Sequence, residues 1–313
     1  MMKTVIELKN KFVSVYAEYS AYVDILGKFI LSFICLYWLS QLFGSRGPLS
    51  SLFVIVFVSL ILSILPMRAI PVVSGLFLIG FTLSISIEAA AITAAVILVL
   101  FFLFLRYVPD DAIIVLLIPM AASLGISPLV PLGVGLKRGP ASILAVISGS
   151  VIYCLLEILL KCESALAATA PGDYMERLTT LLSGFTDAKA LYVNVAVLAA
   201  VFAVSFAVRS IDADYSFEAA IVLGAVVYAA LILISNSMAG TSFGVGEAVL
   251  SSVLSAAVLL CVNYFFFSLD YKKSVRLAFE DDDYYYYVKA VPKVDRLLLR
   301  QPVNEGNSGE EKA

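Results

Sequence analysis

Residues 110–140, DDAIIVLLIPMAASLGISPLVPLGVGLKRGP, are apolar yet interrupted by Pro119, Gly125, Pro128, Pro131, Gly133, Gly135, Gly139 and Pro140. Such a run does not make one straight transmembrane helix. Each proline removes a backbone donor and clashes with the preceding turn, and glycine lets the chain reverse or two backbones approach. In hydrocarbon, broken backbone persists only where protein buries it or where it lines a wet cavity. The functional cavity is therefore expected at 112–136, with Pro119, Ser123, Gly125, Pro128 and Pro131 as its breaks.

Around this stretch the chain has the composition of an all-α polytopic membrane protein. Of its 313 residues 61% are hydrophobic and 14% charged, and the mean hydropathy is +0.99. A soluble protein could not cover so much apolar surface. The net charge of −3, with no basic stripe, argues against nucleic acid as a partner. Histidine is absent, which removes the usual metal ligand and neutral-pH proton shuttle. No metal site and no cofactor is expected. Cys35, Cys154, Cys162 and Cys261 have no CxxC spacing and read as small core residues.

Apolar runs of membrane-crossing character fall at about 29–43, 51–66, 71–105, 140–160, 190–208, 216–235 and 245–268. The run 71–105 is too long for one helix; its 35 residues would span ~52 Å at ~1.5 Å each. A break near Ser84-Ile85-Ser86 is predicted, with serine capping a new helix and Glu88 in its first turn. A single tilted helix over 71–105 is the alternative. Either way about eight crossings are expected. Lysine and arginine in the short loops favour 112–136 entering and leaving on the same side, over the alternative in which 71–105 and 112–136 each cross once, with both termini in the cytoplasm.

Three regions follow. Residues 1–27 carry helical periodicity with Lys9 and Lys11 off the apolar face, and read as an amphipathic helix at the cytoplasmic surface or interface. Residues 28–269 form the transmembrane domain, its largest external loop at about 162–189 with a surface helix near Met175–Ser183. Residues 270–313 form a cytoplasmic tail ending in a disordered stretch. A weaker echo of the first break lies at Ser235-Asn236-Ser237 through Gly244, Gly246 and Glu247, and paired interruptions in two halves point to a transporter site. A plain loop between two helices explains the same residues.

Ionisable groups in apolar spans are functional candidates. Glu88 heads them, and its alternative is a helix-start carboxylate stabilised by the macrodipole. Asp110 and Asp111 follow Pro109 at a helix start, where capping competes with a cation gate. The candidate transport site is thus Glu88, Asp110, Asp111, Pro119, Ser123, Gly125, Pro128, Pro131 and Asn236. Glu157 precedes Lys161 in the favourable i,i+4 order and reads as an ion pair. No P-loop, GxSxG elbow or HExxH is present, and the chain reads as a non-enzyme.

In the tail, Phe279, Tyr284, Tyr285, Tyr286, Tyr287, Val288, Lys289 and Pro292 favour an extended strand. An isolated strand is unstable, so it must pair. Candidate partners are a cytoplasmic or membrane protein docking at 279–294, a second copy of the tail, or the lipid interface. The string FEDDDYYYYVKAVPKV at 279–294, LLIPMAASLGISPLVPLGVGLKRGP at 116–140 and SISIEAA at 84–90 together resemble a poorly characterised family of polytopic, permease-like membrane proteins from anaerobic Gram-positive bacteria. The resemblance implies a transport permease or the membrane subunit of a transport complex. The second reading is a membrane scaffold whose tyrosine-rich tail recruits a partner.

Overall fold

The computed structural model describes residues 19–44, 47–102, 108–168, 173–211, 215–239, 244–267, 275–280 and 285–290. Eleven helices are described: α1 Ser20–Leu42, α2 Leu52–Ile64, α3 Ala69–Leu83, α4 Ile87–Leu100, α5 Ile114–Ser123, α6 Leu129–Lys137, α7 Ile143–Ala168, α8 Tyr174–Asp187, α9 Lys189–Arg209, α10 Ser216–Ala239 and α11 Val245–Phe267. Five of them, α1, α7, α9, α10 and α11, are long and apolar enough to cross a membrane, which is consistent with an integral membrane protein. Helices α2, α3 and α4 have 13, 15 and 14 residues and fall short of the ~20 that a ~30 Å hydrocarbon core asks for. The described residues thus hold five full-length spans where about eight crossings were expected.

The apolar run 71–105 divides as serine chemistry dictates. Ser86 is extended, and its Oγ accepts from the Ala89 backbone N–H at 3.0 Å, which satisfies one of the orphan donors at the start of α4. The N-terminal segment up to Glu18 lies outside the described residues, and α1 is already helical from Ser20 through the expected boundary at 27. Arg106, Asp212 and Asp214 also lie outside them.

The segment 112–136 is a helical hairpin of two half-length helices. Helix α5 ends in a Schellman turn: the Ile126 N–H donates to Ala121 O at 2.9 Å, and the Gly125 N–H donates to Ala122 O at 3.0 Å. Gly125 takes φ +75°, a left-handed conformation that a Cβ disfavours. Within α5, Pro119 has no N–H to offer the carbonyl of Val115. That carbonyl turns to α7, where a Cβ on Gly149 would lie 3.1 Å from it and 2.9 Å from Ile118 Cδ1. The proline break and the glycine are thus one feature, which lets α5 lie close on α7.

Three apolar clusters build the bundle between Tyr19 and Cys261. One joins α5, α6, α7, α9 and α10 through Ile118, Leu132, Val146, Leu198 and Phe202. Another joins α1, α2 and α3 through Leu36, Ile55, Ile70 and Phe81. A third seats α8 by Leu181 against Ile158 and Leu159 of α7. Residues 262 onward belong to a separate compact unit. There β1 Val275–Glu280 pairs antiparallel with β2 Tyr285–Ala290, Phe279 opposite Tyr286. The tyrosine-rich strand therefore has a partner within its own chain; Tyr284, Pro292 and the residues from 291 lie outside the described part.

Gly125→Ala is expected to destabilise the protein by about 1 kcal/mol, and Gly149→Val by about 1–3 kcal/mol through overpacking. Thermal unfolding of the variants in detergent, followed by size-exclusion recovery, reads both; a Gly125→Ala protein as stable as the parent would contradict the left-handed turn.

Candidate functional site

The base of the α5–α6 hairpin is held by charge. Asp111 ends a 3-10 turn that begins at Pro109, and its side chain is only 3% exposed. Arg138, just past the end of α6, brings Nε to 3.1 Å from Asp111 Oδ1, and the Ser142 hydroxyl donates to Oδ2. The chain therefore leaves this point at Asp111 and returns to it at Arg138. Arg209, in the last turn of α9, donates from Nη1 to Leu136 O at 2.6 Å and to Arg138 O at 3.3 Å. This places a cation on the carbonyls at the α6 C-terminus, where the helix dipole is negative. Arg68 also meets Asp110 at 2.6 Å, but both side chains are more than half exposed. Basic residues 68, 138 and 209 and both aspartates thus gather at one end of the bundle.

From that end α5 descends ten residues, ~15 Å. Its tip borders a small polar cavity of about 170 Å³. Gly125 and Ser127 come from the first break, and Gly244 and Glu247 from the second, while Tyr153 of α7, Asn194 of α9, Tyr228 of α10 and Ser251 of α11 close the walls. Asn194, Tyr228 and Ser251 are each more than nine-tenths buried. Tyr228 lines this cavity with Ser127 and Ser251, and Glu157 lies one helical turn beyond Tyr153 on α7. No lysine or arginine lines this cavity. It is a site of neutral donors and acceptors with one carboxylate on its rim.

The residues expected to form one site do not come together. Asp110 and Asp111 belong to the charged base. Gly125 lines the polar cavity, and Pro128 precedes α6 beside it. Ser123 turns its hydroxyl back to Pro119 O at 2.8 Å. Pro119 itself lines a larger apolar cavity of about 470 Å³ among α1, α3, α4, α5 and α7. Pro131 is buried inside α6. Glu88 starts α4 at the Ser84–Ser86 turn, with both carboxylate oxygens buried and unpartnered among the described residues, and it lines neither cavity. Asn236 is half-buried near the end of α10. Tyr153, Tyr228 and Ser251 were not singled out in the sequence, because one tyrosine or serine in an apolar helix gives no local signal. Gly125, Gly244 and Glu247 are the cavity residues that the sequence does mark, through the two breaks. Glu157 and Lys161 lie 3.9 Å apart as their spacing predicts.

Losing Arg138 leaves a buried carboxylate with one hydroxyl partner, whereas losing Arg68 exposes an already solvated aspartate. Because Arg138 is itself 46% exposed, Arg138→Ala is expected to cost about 2 kcal/mol, below the full cost of breaking a buried pair. Arg68→Ala is expected to cost no more than ~0.5 kcal/mol. Equal losses in a thermal-stability comparison would show that the Asp111 contact does not hold the hairpin base.

Comparison of the chain with protein-family models, with curated proteins and with solved structures finds no match.

Proposed function

We propose that this is a permease-type membrane transporter, with the α5–α6 hairpin re-entering from the cytoplasmic face and the Tyr228 cavity as its substrate site. The observation that carries the reading is the convergence of both backbone breaks on one polar cavity, Gly125 and Ser127 from the first, Gly244 and Glu247 from the second. Broken backbone at membrane depth is stable only when it lines such a cavity or is buried by protein, and paired breaks are how many transporters build a mid-membrane site. The hairpin's ~15 Å depth is about half of a ~30 Å core. Arg68, Lys137, Arg138 and Arg209 at its base support a cytoplasmic orientation of that end, under the bias of basic residues to the inner face.

A transport site must meet water from both faces in turn. In a background lacking the four native cysteines, Ser127→Cys is expected to react with a membrane-impermeant thiol reagent from either side of oriented vesicles. Lys137→Cys is expected to react from the inside alone. A Ser127→Cys protein that labels from neither side, or from one side under all conditions, rejects a through-path.

One observation favours a second reading, a scaffold that recruits a partner. Among the described residues the β1–β2 ribbon is two-stranded, and the edge of such a ribbon is a surface for strand addition. Deleting 279–294 is then expected to release a co-purifying protein while the bundle still reaches the membrane, and a partner retained by the truncated chain counts against it.

A further inference from the structure

Helices α10 and α11 also line a second, apolar cavity. Ala248 of α11 belongs to the apolar core, with Ala256 and Leu259 packed against it, and between α10 and α11 runs a slot of about 620 Å³. Its walls include Ala225, Ala229 and Leu233 on α10 and Val249, Val253 and Ala256 on α11. The same stretches of the same two helices supply Tyr228, Glu247 and Ser251 to the polar cavity. Along this seam Tyr228, Glu247 and Ser251 face the polar cavity beside Ile232 and Ala248, and the slot is walled by alanine, valine and leucine with Ser252 as its one hydroxyl. At the outer lip Val226 is 59% and Val253 58% exposed, so the slot opens sideways on the surface that a bilayer would cover.

We propose that the seam binds an amphiphile with a cationic amine head, the head in the Tyr228 cavity and the apolar chain in the α10–α11 slot. This rests on the reading of that cavity as the transport site and names the class of substrate. The division of space fits such a molecule, since one pair of helices lines about 170 Å³ of polar cavity and about 620 Å³ of apolar slot. Small side chains at 225, 229 and 256 leave room for a chain between the helices, where it gains dispersion contacts with the slot walls. The charge pattern sets the sign of the head. An anionic head would meet the Glu247 carboxylate and no lysine or arginine. An ammonium would meet Glu247 and the electron-rich phenol faces of Tyr153 and Tyr228, with Glu157 one helical turn beyond Tyr153 as a second carboxylate.

The test is equilibrium binding of radiolabelled dodecyltrimethylammonium to the full chain in nanodiscs, with empty nanodiscs subtracted. Saturable binding is expected. Glu247→Gln should weaken it about tenfold, and Ala229→Phe should remove it. Ala256→Phe fills the slot from the opposite wall, so it serves as a second variant should Ala229→Phe fail to fold. Purely linear uptake that none of the variants changes overturns the site. Displacement by dodecyl sulfate as effective as by the cation overturns the assignment of the head. Tetramethylammonium binding as tightly as the dodecyl compound overturns the chain slot alone, and leaves the transport reading to the accessibility of position 127. Disulfide-linked dimers formed between copies carrying Ala229→Cys and Val253→Cys would show the slot to be filled by a second copy, which also overturns the proposal.

Discussion

The structure depends on one buried carboxylate and the two groups that satisfy it. Asp111 is taken out of water at a point where two short helices begin and end, and among the described residues Arg138 and Ser142 compensate it. An ion pair of this kind contributes little net stability compared with a well-packed apolar substitute. Its contribution is to specificity. The pair ties residue 111 to residue 138, so that the chain between them folds back on itself as a hairpin. With Arg209 on the carbonyls of α6, the C-terminal end of the hairpin is also fixed against α9. The tip, at Gly125, carries no comparable charge and is held by apolar packing and a glycine turn.

That division has a consequence for chemistry. A base fixed by charge and a tip seated among hydroxyls, an amide and one carboxylate form a lever with one rigid end. The tip faces Tyr228 and Ser251 on α10 and α11. The α5 side is pinned by Gly149 and the Val115 carbonyl, where a Cβ would already meet backbone.

Much of this was legible in the sequence, where the signal is local. Proline and glycine at 119–131 announce a break because their effect is on their own backbone. Ser86 announces a helix start because a cap needs only the next three residues. Glu157 and Lys161 announce a pair because four residues make one helical turn. The site itself was less legible, because it is made by non-local convergence. Tyr153, Asn194 and Tyr228 lie on three helices far apart in sequence, and each resembles a core residue of its own helix. Glu88 drew attention as the most costly residue in an apolar span, yet it lies at the Ser84–Ser86 turn and away from the polar cavity. A buried carboxylate marks a place where energy is stored; whether that place is a site depends on what the fold brings to it.

The two cavities illustrate how a membrane bundle sorts polarity. The 470 Å³ cavity at Pro119 is walled by Trp38, Ile97, Phe101 and Leu116 and offers a ligand almost nothing to hydrogen-bond. The 170 Å³ cavity at the hairpin tip is smaller but surrounded by buried hydroxyls, phenols and an amide. Groups of that kind, left dry and unpaired, would cost free energy in proportion to their number. Water or a polar solute in the cavity would offset that cost, and the hairpin, by bringing the first backbone break to the second, is the feature that makes such a meeting place.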